Sequence, residues 1–106
     1  MPESVKELLS RMADRFDPNA WGAQDAVLQF DISGEQGGQW IATVKGGTLT
    51  VNEGSAEAAD MTLHCSDEDL IAMIKGELNP VSAFMQGKLR IDGDMALAMK
   101  LQNLLT

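Results

Sequence analysis

The chain has few of the groups on which enzymes, disulfide-linked proteins and membrane proteins depend. One cysteine, Cys65, excludes an intramolecular disulfide and fits a reducing compartment, and His64 is the single histidine, so none remains to activate a nucleophile. No apolar run approaches the roughly 18 residues of a membrane span, and no basic-then-apolar N-terminus indicates a signal peptide. The C-terminal Leu104-Leu105-Thr106 does not match the Ser-Lys-Leu peroxisomal signal. We therefore expect one domain over residues 1–106, located in the cytoplasm.

Basic residues are also scarce. The formal net charge of −8 disfavours contact with nucleic acid, and it allows at most a transient contact with an anionic membrane. Residues 1–74 hold four basic and 13 acidic residues, a net charge of −9, whereas residues 75–106 hold four basic and three acidic ones, a net charge of +1. An anionic headgroup would therefore prefer the C-terminal segment, where Lys88, Arg90 and Lys100 are candidate contacts. The alternative is that these three cations only decorate solvated faces.

Apolar spacing in the first half of the chain predicts a helix followed by three strands. Val5, Leu8 and Met12 recur at helical spacing, which predicts an amphipathic helix over Glu3–Phe16. The alternation of apolar and polar residues then predicts three strands, the last two joined by a glycine hairpin. These strands are Ala26–Ser33, Gln39–Lys45 and Thr48–Asn52, and the hairpin is Gly46-Gly47.

The second half predicts a strand, two helices, a short strand and a closing helix. Asp60–Cys65 alternates like a strand, and Ser66 with Asp69 resembles a capping box for a helix from about Asp67 to Lys75. A short helix beginning at Pro80, a Gly87 turn, a brief strand, Gly93 and an amphipathic helix to the C-terminus complete the order.

Each predicted strand has one apolar and one largely polar face, which predicts a sheet covered by helices on one side and exposed to water on the other. The closing helix is apolar over a wider arc than a terminal helix on a small sheet requires, so the excess must face a ligand, a partner or a second layer. Methionines suit a cavity that adapts to several ligands, or they fill gaps in an ordinary core. Those on the predicted helices are Met12, Met73, Met85, Met95 and Met99.

No residue pattern indicates an active site. His64 falls on the polar face of its strand, which predicts an exposed histidine, and Cys65 falls on the apolar face as a small core residue. The acidic run Asp67–Asp69 fits helix capping and lacks the spacing of a calcium loop. The glycines form no strand-to-helix nucleotide motif. We therefore expect no enzyme activity, no metal and no cofactor.

The segment Asn79–Gln102 reads N-P-x-S-A-F-x-Q-G-K-L-x-I-x-G-x-M-x-L-A-M-K-L-Q, and it closely resembles the sterol carrier protein type 2 (sterol-transfer) family. The resemblance covers nearly the whole chain. Its further matches are Pro18, Ala20 and Gly22, the segments Gln29–Gly34 and Gly38–Trp40 with the Lys45–Gly47 turn, and the segments Ala59–Leu63 and Ser66–Asp69.

This resemblance implies an α+β fold: a five-stranded mixed, mostly antiparallel sheet with helices over one face, enclosing an apolar tunnel. It also implies non-enzymatic binding and transfer of fatty acids, fatty acyl-CoA, sterols or phospholipids. With two Trp and three Phe, the lining would be aliphatic and thioether rather than aromatic. The candidate ligand-binding residues are Phe30, Ile32, Trp40, Leu63, Leu70, Ile74, Phe84, Met85, Gln86, Met95, Met99, Leu101 and Leu105.

Two interpretations remain open for each of two candidate residues, Gln86 and Trp40, and for the function. The Gln86 amide either donates to a ligand carbonyl or carboxylate, or caps the end of the short helix. Trp40 either lines the tunnel or anchors the core of the sheet. Instead of carrying lipid, the domain could be an interaction module that docks on a lipid-metabolising enzyme through its apolar groove.

Overall fold

The elements follow one another in the predicted order, with one added helical turn. A computed structural model of the chain describes residues 5–14, 16–22 and 24–105, apart from the side chains of residues 20 and 102–105. Its helices are α1 (Val5–Asp14), α2 (Pro18–Trp21), α3 (Asp67–Ile74), α4 (Pro80–Met85) and α5 (Met95–Leu105). Its strands are β1 (Ala26–Ser33), β2 (Gly38–Lys45), β3 (Thr48–Glu53), β4 (Met61–Ser66) and β5 (Arg90–Gly93).

The added turn, α2, carries no apolar periodicity from which it could have been predicted. Its start is fixed locally, because Asp17 Oδ1 accepts a hydrogen bond from the backbone N–H of Asn19 at 3.0 Å. The predicted helix over Glu3–Phe16 is shorter in the structure, ending at Asp14, and Glu3 lies outside the described residues.

The five strands form one sheet in the order β3-β2-β1-β4-β5. β1 runs parallel to β4, and the other neighbouring pairs are antiparallel, so the mixed, mostly antiparallel sheet is confirmed. Register sets one apolar row across the centre of the sheet: Phe30 lies opposite Trp40 on β2 and opposite Leu63 on β4. Because side chains alternate along a strand, this row faces a single layer of helices.

The hydrophobic core lies between the inner face of the sheet and the helices. α1 contacts β3 and α3, whereas α5 contacts β4 and β5, so different helices cover the two ends of the sheet. The largest fully buried side chains are Phe30, Leu9, Leu28, Met61, Leu63, Leu70, Met73, Leu97, Leu101 and Val5. No helix among the described residues is long and apolar enough to cross a membrane.

The helix caps predicted from the acidic run are present. Ser66 Oγ accepts a hydrogen bond from the backbone N–H of Asp69 at 3.1 Å, and the carboxylates of the first turn favour the positive end of the α3 dipole. Asp67 also contacts the loop between β1 and β2. Its Oδ2 accepts a hydrogen bond from the backbone N–H of Gln36 at 2.9 Å. The helix ends at Ile74, one residue before the predicted end, with Lys75 as its C-cap, and Gly76 follows in a left-handed conformation, as expected of a helix stop.

The outer face of the sheet is less exposed than the alternation predicts. Gln29, on the polar side of β1, is buried because the loop after β3 folds over it. Its Oε1 accepts from the N–H of Ala56 at 2.7 Å, and its Nε2 donates to the carbonyl of Gly54 at 3.3 Å. The prediction of a fully wet face is therefore wrong at this position. The prediction of an exposed His64 is also wrong in degree, because 27% of its side chain is accessible.

Asp60 holds the junction between β5 and α5 against the rest of the sheet. Its carboxylate accepts from the N–H of Val27 at 2.8 Å, and its carbonyl accepts from the N–H of Asp94 at 3.0 Å. Gly93 has a φ of 106°, and a Cβ there would lie 2.5 Å from the Asp60 carbonyl oxygen. Only glycine therefore allows this close approach, which positions the start of α5.

Candidate functional site

An apolar pocket opens between α4, β5 and α5, at the C-terminal end of the helical layer. Its volume is about 140 Å³. All of its lining side chains are uncharged and apolar: Leu63, Pro80, Val81, Phe84, Leu89, Ile91, Met95, Ala98, Met99 and Leu101. Such a lining can bind hydrocarbon, and it offers no side chain that could fix a polar group by a hydrogen bond.

The short helix α4 forms one wall because its sequence sets both ends. Asn79 Oδ1 accepts from the N–H of Val81 at 2.8 Å, and Pro80 occupies the first helical position. The chain leaves the helix through Gly87, whose φ is 76°. The helix has only six residues and buries two side chains, Pro80 and Ala83. Phe84 remains 45% exposed at the mouth of the pocket.

The opposite wall comes from β5 and α5. Ile91 pairs with Leu63 and faces the pocket, so its neighbours Arg90 and Asp92 project from the other side of the strand. α5 turns Leu97, Ala98 and Leu101 toward the interior. Its wide apolar arc leaves Met95 51% exposed and Met99 70% exposed, and both of these side chains line the mouth.

The structure brings together only part of the predicted ligand-binding set. Leu63, Phe84, Met95, Met99 and Leu101 line the pocket. The others lie elsewhere: Phe30, Ile32, Trp40 and Leu70 are in the buried core, Ile74 packs against it, Met85 and Gln86 are exposed beyond the lining, and the side chain of Leu105 is not described. The tunnel stays a prediction.

Five lining residues were not among the predicted site residues, namely Pro80, Val81, Leu89, Ile91 and Ala98. The alternation of Leu89 and Ile91 around Arg90 is the signal that could have placed two of them on one face of the short strand. Of the two alternatives for Trp40, lining the tunnel or anchoring the core, the structure favours the core. Trp40 pairs with Phe30 across the sheet and is 6% exposed. For Gln86, the cap on α4 is made by the backbone N–H, which donates to the carbonyl of Ser82.

The three candidate headgroup cations are not grouped. Lys88 and Arg90 line an open polar cleft on the outer side of the sheet, with Arg90 Nη2 lying 3.3 Å from Asp92 Oδ2. Lys100 lies apart from both. Its Nζ donates to Gln24 Oε1 at 3.0 Å and sits 5.4 Å from the centroid of the Trp21 ring. Lys100 is thus occupied by a hydrogen bond and a cation–π contact.

His64 also lines that polar cleft, whose volume is about 490 Å³. Its Nδ1 is 3.3 Å from Asp31 Oδ2, and its Nε2 is 2.9 Å from Asp92 Oδ2, so the ring bridges three strands. The neighbouring Cys65 is a poor nucleophile, because burial and the charges of Asp69 and Asp67 raise its pKa to about 12. No group of three or more His, Cys, Asp or Glu residues in the described ranges could hold a metal ion.

Comparison with known proteins gives the same family as the motif. The sequence model of the SCP-2 sterol transfer family matches residues 5–106. Hydroxysteroid dehydrogenase-like protein 2 of Bos taurus is 40% identical over 104 residues, which cover 96% of this chain and 25% of that protein. Sterol carrier protein 2 of Oryctolagus cuniculus is 46% identical over 81 residues, covering 74% of this chain and 15% of that protein.

The fold is similar to that of a solved relative. The solution NMR structure of palmitated SCP2L2 from Aedes aegypti has a TM-score of 0.82 and 32% sequence identity, covering 97% of this chain and 95% of that chain. The curated relatives named above are much longer, and this chain spans about a quarter of their length or less. The family match over residues 5–106, together with the shared fold, shows that the chain belongs to the SCP-2 sterol transfer family.

Proposed function

We propose that this domain binds a fatty acid, fatty acyl-CoA, sterol or phospholipid in the apolar pocket and transfers it without covalent chemistry. The observation that carries the proposal is the pocket between α4, β5 and α5, which is lined wholly by apolar side chains and open between Phe84 and Met99. The similar Aedes aegypti protein is palmitated in its solution structure, which supports a long-chain ligand.

The pocket holds only part of such a ligand. Its volume of about 140 Å³ is close to that of an engineered apolar protein cavity of about 150 Å³ that takes up benzene. A long chain therefore fills the pocket with one end and continues between the exposed side chains of Phe84, Met95 and Met99. Either these side chains rotate or α4 and α5 move apart to cover it.

Chain length should decide affinity more than the headgroup does. Burying about 16 carbons yields roughly 12 kcal/mol gross at ~0.8 kcal/mol per methylene, reduced by the costs of ordering and association. One neutral hydrogen bond, such as Gln86 could donate to a carbonyl, adds about 1 kcal/mol net. We therefore expect loose headgroup discrimination.

The test is a calorimetric titration with saturated fatty acids of increasing length, from about eight to about 18 carbons. We expect one molecule per chain and an affinity that rises with length until the pocket and its mouth are filled. Phe84→Ala should weaken binding because it removes a wall of the pocket. The matched control is Met85→Ala, a neighbouring exposed position on α4 that does not line the pocket, and it should bind like the unmodified protein.

The same titration separates the carrier from the interaction module. No binding at any length, or an affinity that does not change with length, would contradict the carrier and favour docking on a lipid-metabolising enzyme. Equal losses in Phe84→Ala and Met85→Ala would place the site away from this pocket. Mass spectrometry of lipids extracted from the purified protein identifies the ligand class.

A further inference from the structure

We propose that Met95 and Met99 form an oxidation-sensitive rim, and that converting their thioethers to sulfoxides with hydrogen peroxide lowers the affinity of the pocket for apolar ligands. The inference rests on the proposed lipid-binding function, because it concerns the regulation of that same pocket. The modification is oxidation of two thioethers, and both of them line the pocket.

The methionines of the described chain divide sharply by exposure. Hydrogen peroxide must reach the sulfur atom, so only accessible thioethers are oxidised quickly. Three methionines are in the core and are shielded: Met12 is 4% exposed, Met61 is 1% exposed and Met73 is 0% exposed. Three are open to solvent: Met85 is 80% exposed, Met99 is 70% exposed and Met95 is 51% exposed.

Position then separates the exposed methionines from one another. Met95 and Met99 are four residues apart on α5, so they lie on the same face of the helix, and both line the apolar pocket. Met85 lies on α4 outside the lining. Oxidation of Met85 therefore changes the surface alone, whereas oxidation of the α5 pair changes the wall against which a ligand packs.

The chemistry is a two-electron oxygen transfer. A lone pair of the thioether sulfur attacks one oxygen of hydrogen peroxide, the O–O bond breaks and a new S–O bond forms. A proton moves to the departing oxygen, which leaves as water, so sulfur is oxidised and the peroxide oxygen is reduced. Methionine sulfoxide reductases reverse the change, which makes the rim switchable.

The effect on binding follows from solvation. A sulfoxide oxygen is a strong acceptor that water satisfies while Met95 and Met99 are exposed, so the oxidised domain should remain folded. A bound hydrocarbon chain displaces that water, and the pocket lining provides no side-chain donor to replace it. We expect the affinity for a long-chain fatty acid to fall at least tenfold.

The experiment treats the full chain with hydrogen peroxide, stops the reaction at intervals and maps each methionine by peptide mass spectrometry. Palmitate affinity and the melting temperature are measured on the same samples. We expect oxygen uptake at the three exposed methionines before the three buried ones, loss of palmitate affinity and little change in melting temperature. Methionine sulfoxide reductase should restore binding.

Two variants isolate the rim. Met85→Leu removes an oxidisable surface residue and should lose affinity on peroxide treatment as the unmodified protein does. The double variant Met95→Leu/Met99→Leu keeps an apolar lining without sulfur, so its palmitate affinity is compared with its own untreated value, and peroxide should leave that value unchanged. Cys65 is buried and protonated, so it should remain unmodified under conditions that oxidise the exposed thioethers.

Three results would overturn the inference. The first is unchanged affinity after complete oxidation of Met95 and Met99, and the second is equal loss in the double leucine variant. The third is a fall in affinity that occurs only in samples whose melting temperature shows that the domain has lost stability. If the untreated protein binds no lipid of any length, the proposed function is wrong, and this inference is wrong with it. The other three results are obtained with an untreated protein that does bind lipid, so the two kinds of failure are distinguishable.

Discussion

Apolar side chains are buried more completely in residues 5–74 than in residues 78–101. The first region packs α1 and α3 on the sheet so that Val5, Leu9 and Leu70 are fully buried. All of the large hydrophobic side chains that are exposed in the described chain belong to the second region: Val81, Phe84, Met85, Met95 and Met99. The same sheet therefore supports a dry core at one end and an open apolar surface at the other.

The difference arises from the amount of sheet available to each helix. α1 and α3 lie near strands of six to eight residues, which cover the apolar stripes of both helices. α4 and α5 line the pocket beside the edge strand β5, which has four residues, and α5 also contacts β4. A short edge strand cannot cover two apolar helix faces, so the excess remains open. Under the proposed function, this incomplete packing is the binding site.

The largest expected effect contrasts one substitution in each region. Leu9→Ala leaves a cavity in the packed region and should lower the free energy of unfolding by about 2–5 kcal/mol. Phe84→Ala should lower it by roughly 1 kcal/mol, because nearly half of that side chain already contacts water. Urea denaturation at neutral pH measures both. A similar loss in the two variants would mean that the open region is ordinary core.

Much of this contrast could be predicted from the sequence, because it depends on local patterns. Apolar spacing located α1 and the strands to within about two residues, and the capping pattern at Ser66 located α3. Asn79-Pro80 and Gly87 bracketed α4. The wide apolar arc of α5 predicted apolar surface beyond what the sheet needs, and Met95 and Met99 on that helix are exposed. Five residues of the candidate pocket, including Met95 and Met99, come from the predicted set.

The remainder depended on tertiary contacts that periodicity does not encode. Phe30, Ile32 and Trp40 alternate like lining residues, but the register of β1 with β2 and β4 places them in the centre of the core. Gln29 looks solvent-facing until the loop at Gly54–Ala56 covers it. Lys100 is separated from Lys88 in sequence by only one strand and one helical turn, and the fold points it toward Trp21.

The next expected effect tests whether the open region has access to water. Met99→Glu places a carboxylate on the pocket wall at a side chain that is 70% exposed. The charge can remain hydrated in the free protein, so the melting temperature should change little. Binding of a long fatty acid should weaken at least tenfold, which corresponds to about 1.4 kcal/mol. Thermal denaturation beside a fatty-acid titration measures the two quantities.

The matched control for Met99→Glu is Met85→Glu, which changes a methionine that is 80% exposed and lies outside the pocket, and it should leave binding intact. A sharp fall in melting temperature for Met99→Glu would show that Met99 is dry core, contrary to its exposure. Unchanged melting and unchanged binding together would remove Met99 from the site.

A third effect concerns the packed region at alkaline pH. Burial raises the pKa of the Cys65 thiol from 9.0 to about 12, with Asp69 and Asp67 adding to the shift. Above pH 9 the unfolded chain therefore releases this proton while the folded chain keeps it. The unfolded state then binds fewer protons, so stability should fall by up to about 1.4 kcal/mol per pH unit until the folded pKa is reached. Below pH 9 the thiol should contribute no pH dependence.

Urea denaturation of the unmodified protein and of Cys65→Ala, at about pH 8 and about pH 10.5, isolates this contribution. Every other ionisable group is common to both proteins, so the difference between the two slopes belongs to the thiol. Parallel slopes would contradict the shielding of Cys65 and, with it, the closure of the core next to the polar cleft.

The smallest expected effect concerns charge at the border of the open region. Lys88 and Arg90 lie on the outer side of the segment that carries Leu89 and Ile91 into the pocket, so a headgroup leaving the mouth around this edge could reach them. We propose that Lys88→Gln with Arg90→Gln weakens binding of a fatty acyl-CoA by at most about 1 kcal/mol per charge at low salt, and less at high salt. Neutral sterol binding should not change.

Lys100→Gln is the matched control for these cations, because Lys100 is held by Gln24 and the Trp21 ring, away from Lys88 and Arg90. It should alter acyl-CoA affinity less than the double variant does, although it can cost some stability through the lost cation–π contact. Titrations of both ligands at two salt concentrations decide the matter. If acyl-CoA and sterol weaken equally in the double variant, then Lys88 and Arg90 are solvated surface charges, and apolar contact alone selects the ligand.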